Sequence, residues 1–187
     1  MFPQLARPLP ELRTQRLTLR ALRSSDIEDV FAYASDPEVA RHTLWDPHRN
    51  LADTRAFLDF VLDQILRGAA FIWGIVHESN SHVIGTIGLA NYAAQHSRAE
   101  LGFAIGRPWW GQGLTTEAVR VVLSYGFRQL QLNRVEAYCM ADNIASARVL
   151  EKAGLRFEGL LSKREFIKGE FEDLKLYAIL RSEYFRP

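Results

Sequence analysis

The chain has 187 residues, of which 48% are hydrophobic and 24% are charged. This length suits one domain, and the apolar fraction is sufficient for a buried core, which excludes an extensively disordered chain. The formal net charge is +1, with acids and bases mixed along the chain, so the sequence lacks the basic stripe of a nucleic-acid binder. The single cysteine, Cys139, excludes an internal disulfide framework and a metal site built on several thiolates.

The N-terminal ten residues are rich in proline and contain no apolar run of signal-peptide length. No stretch approaches the roughly 18–20 apolar residues that a membrane span needs. We therefore expect a cytoplasmic protein with neither a membrane nor a nucleic acid as partner. Residues 1–12 are expected to form a tail, and residues 13–187 a single domain.

Hydrophobic periodicity predicts the first elements in chain order. Residues 16–22 alternate polar and apolar side chains, which predicts a half-buried strand. Two helices follow: the first includes residues 30–34 and is broken at Asp36-Pro37, and the second covers residues 51–67. Three strands are then expected at residues 70–77, 82–91 and 99–105, the first two joined as a hairpin.

The second half of the chain alternates helices and strands before it ends in a hairpin. The predicted elements are a helix over 114–129, a strand over 134–140, a helix over 144–153 and strands over 157–166 and 171–181. The order β-α-α-β-β-β-α-β-α-β-β predicts one mixed α/β domain.

A glycine-containing loop stands between the third strand of the central group and the long helix that follows. Its sequence is Trp-Trp-Gly-Gln-Gly-Leu-Thr-Thr-Glu-Ala over residues 109–118. Gly111 and Gly113 permit close backbone approach to a ligand, and the free amides and dipole of the helix start favour an anion such as a pyrophosphate. A plain strand-to-helix turn is the alternative, because Gly-x-Gly alone is a weak signal. The dinucleotide fingerprint fails because Thr116 occupies the place of its third glycine.

A second motif covers residues 143–155, with the sequence Asn-Ile-Ala-Ser-Ala-Arg-Val-Leu-Glu-Lys-Ala-Gly-Leu. Asn143 is placed to cap a helix and Gly154 to end it. Because Asn143 sits at a strand-to-helix corner, its side chain is also a candidate ligand contact.

The two segments together resemble the GNAT superfamily, whose pyrophosphate loop has the form Arg/Gln-x-x-Gly-x-Gly/Ala. The matching positions here are residues 110–115, where Trp110 and Thr115 depart from the general pattern. The form Trp-Gly-x-Gly-x-x-Thr-Glu-Ala is instead similar to the RimJ/RimL branch, which acetylates ribosomal proteins. Further similarities to that branch are Asn143-x-x-Ser146, Glu151-Lys152-x-Gly154, Glu100-Leu101-Gly102-Phe103 and Trp45-x-Pro47-His48.

The resemblance implies a mixed sheet of about seven strands with helices on both faces and a splay between the fourth and fifth strands. It also implies acetyl-CoA as co-substrate, with no metal. Pantetheine would lie in the splay, with one main-chain amide facing the thioester carbonyl oxygen. The implied cofactor contacts are Phe103, Ala104, Ile105, Trp110, Gly111, Gln112, Gly113, Leu114, Thr115, Thr116, Asn143 and Ser146.

The implied reaction is attack of an amine on the thioester, which requires a base because amines are protonated near neutral pH. Glu165 follows Ser146 by nineteen residues, the spacing of a glutamate proposed as base in RimL-like enzymes. Glu100, at the start of the fourth strand, is the second candidate base. For each glutamate the alternative is a surface charge with no catalytic role. Many GNAT enzymes protonate the thiolate with a tyrosine; Leu150 stands at that position, which leaves Ser146 as the available substitute.

Three functions stay open for the chain, and the first two differ in the amine that accepts the acetyl group. The RimJ/RimL similarity favours a protein N-terminal α-amine. A small amine such as a polyamine, an amino sugar or an antibiotic is the second, and a non-catalytic CoA-binding regulator is the third. Both a monomer and a homodimer are compatible with the sequence.

Overall fold

A central sheet organises the protein in the computed structural model, which describes residues 9–186. Its strands are β1 (Leu12–Arg13), β2 (Leu17–Arg20), β3 (Phe71–His77), β4 (Val83–Ala93), β5 (Arg98–Ile105), β6 (Arg134–Met140), β7 (Arg156–Ile167) and β8 (Glu170–Leu180). They lie in the order β1-β2-β3-β4-β5-β6-β8-β7. The pair β5–β6 is parallel, whereas the other neighbours are antiparallel. The predicted mixed sheet is confirmed, with the short β1 added to the seven predicted strands.

The helices are α1 (Ile27–Ala34), α2 (Pro37–Ala40), α3 (Leu51–Leu66), α4 (Leu114–Arg128), α5 (Ile144–Lys152) and α6 (Arg181–Tyr184). Local sequence accounts for their ends. Asn50 caps α3 by accepting from the amides of Ala52 and Asp53. Asp36-Pro37 does follow the end of α1, as predicted, but it also begins the unpredicted α2, because Asp36 caps the Glu38 amide and proline suits the first turn.

Helices cover both faces of the sheet, as predicted. On one face, α4 and α5 pack over strand residues such as Trp73 and Leu89, which are fully buried. On the other face, α1 and α3 contribute Val30 and Leu58 to a second apolar cluster. Strand side chains alternate between the faces, so each strand residue can be assigned to the α4 face or the α1–α3 face.

The predicted splay lies between β5 and β6. These strands pair over Arg98↔Arg134, Ala99↔Val135 and Glu100↔Glu136. Beyond Glu100, β5 continues to Ile105 without β6 as its paired neighbour. The second half of β5 therefore presents one free main-chain edge at the split.

The N-terminal boundary of the domain at residue 13 stays a prediction. Residues 1–8 and Pro187 lie outside the described part of the chain. Within it, the Trp73 indole donates to the Pro10 carbonyl at 2.8 Å, which ties the chain just before β1 to the sheet. Between residues 9 and 186, none of the helices combines the length and the apolar character needed to cross a bilayer.

Candidate active site

The glycine loop adopts a backbone conformation that requires its two glycines. Gly111 and Gly113 have φ angles of +74° and +78°, in the left-handed region that most side chains avoid. Gly113 is the N-cap of α4 and supplies no side-chain cap. Because the first amides of a helix have no acceptor within it, Leu114, Thr115 and Thr116 present N–H groups at the start of α4. This arrangement suits an anion.

Side chains of the loop hold it against β5. The Trp110 indole donates to the Ile105 carbonyl at 2.7 Å, and the Gln112 amide donates to the Pro108 carbonyl at 2.9 Å. The structure therefore gives these two side chains anchoring roles. Leu114 is 1% exposed and packs in the core, so its contribution to a ligand is limited to its main-chain amide.

Arg16 is a residue of this site that the sequence analysis missed. Its guanidinium donates to the Gln112 carbonyl at 3.1 Å and to the Glu117 carboxylate at 2.7 and 2.9 Å. It thus joins the entry to β2 with both the glycine loop and α4. The separation of 101 residues between Arg16 and Glu117 explains why no local pattern revealed the contact.

An open groove of about 710 Å³ lies beside the start of α4. Gly113 and Thr116 line it together with three cationic side chains, Arg16, Arg120 and Lys152. Main-chain amides and cations in one groove match the chemistry of a diphosphate. The residues present therefore fit the phosphates of a CoA molecule.

Of the three residues expected to contact pantetheine, Phe103, Ala104 and Ile105, only two present their main-chain groups at the free edge of β5. Gly106 donates its amide to the Ile84 carbonyl at 2.8 Å, and alternate residues of an antiparallel strand bond the same neighbour. The main-chain groups of Ala104 therefore face β4. Those of Phe103 and Ile105 face the split, where the Ile105 carbonyl already accepts from Trp110. The amides of Phe103 and Ile105 are the donors that remain at this edge.

A cavity of about 370 Å³ brings the two candidate bases together. Glu100, from β5, and Glu165, from β7, both line it. Ala99, Leu101 and Ile105 belong to the α4 face, so Glu100 points to the α1–α3 face. The other lining residues are Leu44, Asn91, Arg98, Ala99, Glu136, Tyr138, Arg164 and Leu174.

The carboxylates in this cavity have different partners. Glu136 is 8% exposed and accepts from Arg98 at 2.8 Å and from Arg134 at 2.7 Å. Glu165 lies 3.3 Å from the Arg164 guanidinium. Glu100 accepts at 2.9 Å from the neutral amide of Asn91. The Arg98–Glu136 and Asn91–Glu100 contacts join different strands, so no local sequence pattern revealed them.

Tyr138 is a further polar residue of the cavity that the sequence analysis did not identify. Burial raises the pKa of its phenol, and the charges of Glu136 and Glu100 raise it further. Tyr138 therefore stays protonated near neutral pH. It faces the same cavity as both candidate bases.

Asn143 and Ser146, the two cofactor contacts predicted in the second motif, lie outside the linings of both the groove and the cavity. Asn143 caps the helix, its side-chain oxygen accepting from the Ser146 amide at 3.0 Å. Leu150 is 1% exposed and belongs to the core. The roles of Asn143 and Ser146 toward a cofactor stay predictions. Cys139 is buried, and this burial raises the pKa of its thiol, as expected of a core residue.

The segment before α3 contributes Leu44 to the cavity. Leu44 is 77% exposed and marks the rim, whereas Trp45 packs on Phe57 with ring centroids 6.3 Å apart. His48 contacts the Thr54 hydroxyl at 2.9 Å, and burial lowers the pKa of its imidazole. Over residues 9–186 no group of three or more His, Cys, Asp or Glu side chains is arranged to hold a metal ion.

Comparisons with known proteins agree with this geometry. Residues 16–156 match the model of the acetyltransferase (GNAT) domain family. The chain is 35% identical over 173 residues to the uncharacterised N-acetyltransferase p20 of Bacillus licheniformis, covering 92% of this chain and 97% of that one. It is 27% identical to the ribosomal protein uS5-alanine N-acetyltransferase of Escherichia coli, covering 95% and 94%.

Among solved structures, spermidine N-acetyltransferase from Vibrio cholerae in complex with CoA and spermine superposes with a TM-score of 0.80. That pair is 22% identical, with 92% of this chain and 100% of that one covered, a likeness that shows the fold. Family match, relatives and fold lead to one conclusion. The chain belongs to the GNAT acetyltransferase family and is an enzyme of acetyl transfer.

Proposed function

We propose that this protein transfers acetyl directly from acetyl-CoA to a primary amine, with a protein N-terminal α-amine as its acceptor. The observation that carries the proposal is the single cavity lined by both Glu100 and Glu165, at a split between β5 and β6. The groove that fits the phosphates of CoA lies beside α4, on the other face of the sheet. Two substrates can thus approach the split from opposite faces.

Acetyl-CoA supplies the activated acetyl group in this proposal. The amides at residues 111–116, together with Arg120 and Lys152, hold its phosphates. The amides of Phe103 and Ile105 orient the pantetheine portion, and one of them donates to the carbonyl oxygen as negative charge develops there. The superposed Vibrio cholerae enzyme, solved with CoA, supports this assignment.

The cavity supplies the base. A protein α-amine has an ordinary pKa of about 7.7–8.0, so much of it is protonated at neutral pH and must lose a proton before it attacks. Glu100 or Glu165 accepts that proton, directly or through water. Glu100 is the stronger candidate, because its hydrogen-bond partner is a neutral amide, whereas Glu165 lies beside the Arg164 cation.

The relative that acetylates ribosomal protein uS5 favours a protein N-terminus as acceptor. The exposed rim at Leu44 leaves room for a chain that continues past the reacting amine. A small polyamine is the second candidate. Three glutamates and two arginines line the cavity, and this acidic balance also suits a polycation, as does the spermine in the Vibrio cholerae structure.

Release of free CoA thiol tests the proposal. Purified protein is incubated with acetyl-CoA and either short peptides with free N-termini or a panel of spermidine, amino sugars and aminoglycosides. Turnover with peptides supports the proposal, and turnover confined to small amines moves the acceptor to the second candidate. If no amine of either set gives thiol release, direct transfer to these acceptors is contradicted.

The base is tested with Glu100→Gln and Glu165→Gln. We expect Glu100→Gln to lower kcat by about 10²–10⁴-fold with little change in the affinity for acetyl-CoA. Glu170→Gln is the matched control, since Glu170 is exposed at the β7–β8 hairpin and outside the cavity. If Glu165→Gln alone lowers kcat, the roles of the two glutamates are reversed.

A further inference from the structure

A β-bulge in β4 lies directly opposite Glu100. The β4–β5 ladder pairs Ala90 with Glu100 and next pairs Ala93 with Arg98, so β4 carries one extra residue at this point. Asn91, within the bulge, has a φ angle of +49°, in the left-handed region. Asparagine tolerates this conformation better than most residues. Bulges commonly redirect a side chain next to a functional site.

Here the bulge directs the Asn91 side chain to Glu100. The Asn91 Nδ2 donates to Glu100 Oε2 at 2.9 Å, and both residues line the cavity that also contains Glu165. An ionised carboxylate only accepts hydrogen bonds, which fixes the orientation of the amide. One carboxylate oxygen is thereby held, and the other is left to interact with a molecule in the cavity.

The other charged groups facing Glu100 are occupied with each other. Arg98 projects from the same face of β5 but donates to Glu136, and Glu136 stands beside Glu100 on β6. Arg164 pairs with its neighbour Glu165 on β7. Within residues 9–186, Glu100 is the one cavity glutamate that forms no ion pair. Its negative charge is therefore available to an ammonium group.

We propose that Asn91 is a positioning residue, which holds the Glu100 carboxylate in the orientation that receives the acceptor amine and its proton. The inference rests on the proposed function, because it assumes that amines react in this cavity. A neutral donor suits this task, since it fixes the carboxylate without neutralising the charge that attracts an ammonium group. A cationic donor in its place would compete with the substrate.

Two substitutions test the role of Asn91 while retaining the bulge. Asn91→Gly keeps the freedom to adopt a positive φ and removes the amide donor. We expect kcat/KM for the acceptor to fall by about tenfold, in line with the loss of a hydrogen bond to a charged group, while the KM for acetyl-CoA and the melting temperature stay unchanged. Asn80→Gly is the matched control, because Asn80 lies in the β3–β4 turn outside the cavity.

Asn91→Asp is the second variant, and its readout is the pH–rate profile. It keeps the size and the tolerance of positive φ, but it places a carboxylate against Glu100. Like charges at this distance raise the pKa of the pair, so the acidic limb of kcat/KM should move up by about one pH unit. Glu136, Glu165, Arg98 and Arg164 also face the cavity. They are common to the wild type and the variant, so the difference between the two profiles reports the change at residue 91.

The outcomes separate this inference from the proposed function. If the wild-type protein acetylates no amine, the proposed function fails, and the inference fails with it. If the wild type is active and Asn91→Gly stays within twofold of its kcat/KM, or Asn91→Asp leaves the acidic limb in place, the positioning role is wrong and the proposed function stands.

Discussion

Arg16 and Glu117 form a three-point contact that ties the start of β2 to the first turn of α4. The guanidinium donates through Nε and Nη2 to one carboxylate oxygen, and the Arg16 amide donates to the other at 3.0 Å. Burial alone would raise the pKa of Glu117, but hydrogen bonds from Thr14 and Arg16 hold it below its ordinary value. The contact thus keeps the glycine loop in place from outside the loop itself.

Arg16→Ala should raise the KM for acetyl-CoA. An exposed ion pair contributes about 0–1 kcal/mol, which corresponds to an increase of up to about fivefold, and kcat should change little. Arg13→Ala is the matched control, since Arg13 pairs with Glu11 at the surface. Steady-state kinetics with varied acetyl-CoA makes the comparison, and equal KM values for the two variants would contradict a role for Arg16 in holding the loop.

Gly113→Ala should weaken acetyl-CoA binding through backbone strain. A Cβ at this position meets only the Arg16 guanidinium, at 3.8 Å, so crowding is not the cause. The φ angle of +78° is costly for alanine, by about 1–2 kcal/mol, and relaxation of the loop would misplace its amides. Calorimetry should show affinity reduced by about tenfold.

Two variants control the Gly113 experiment. Gly113→Asn should retain more affinity than Gly113→Ala, because asparagine accepts a positive φ more readily. Gly159→Ala, where the added methyl meets no atom within 4 Å, should bind acetyl-CoA as the wild type does. Equal affinities for Gly113→Ala and wild type would remove the glycine loop from the binding site.

Trp110→Phe should loosen the loop from β5 while keeping most of the aromatic packing. It removes the partly buried indole hydrogen bond to the Ile105 carbonyl, and a bond of this kind contributes about 0.5–1.5 kcal/mol. Because Ile105 belongs to the free edge of β5, the KM for acetyl-CoA should rise and kcat should fall. Trp109→Phe provides the comparison, and a larger effect at Trp109 would contradict the anchoring role of Trp110.

His48 should make the protein less stable as the pH falls. Burial lowers the pKa of its imidazole below the ordinary value of 6.5, so the folded state binds a proton less readily than the unfolded chain. The contribution of neutral His48 is therefore complete above that value and is lost as the pH falls below it.

Thermal melts at about pH 7.5 and about pH 5.5 measure this effect. The melting temperature of the wild type should fall more between the two conditions than that of His48→Gln. His96→Gln, at an exposed position, should retain the wild-type dependence. An identical loss in the wild type and His48→Gln would exclude His48 as the source.

Local signals predicted most of the fold. The glycines at 111 and 113, followed by apolar residues at helical spacing, place α4 within one residue of its observed end. The alternating segment of residues 134–140 matches β6. Asp36-Pro37 misled the prediction in one respect, because the dipeptide that ends α1 also begins α2.

Contacts between distant segments could not be predicted in this way. The glycine loop, the first turn of the helix after it and both candidate bases could be identified from residue type and spacing in the sequence. Arg16, Asn91 and Tyr138 carry no motif. Asn91 and Tyr138 enter the site because the sheet order places β4 and β6 on either side of β5, whereas Arg16 enters it because its side chain reaches α4. For the same reason, the sequence could not show that the hydrogen-bond partner of Glu100 is a neutral amide. The Arg164 cation beside Glu165 is its neighbour in the sequence.

The three-pair contact of β5 with β6 has a consequence for the order of events at the enzyme. The groove and the cavity open on opposite faces of the sheet, so neither compartment blocks the mouth of the other. Under the proposed function, a large acceptor can therefore bind while acetyl-CoA is already bound, and neither product has to leave before the other. Initial-rate plots against both substrates should accordingly intersect, as they do for mechanisms that assemble both partners before any bond is broken.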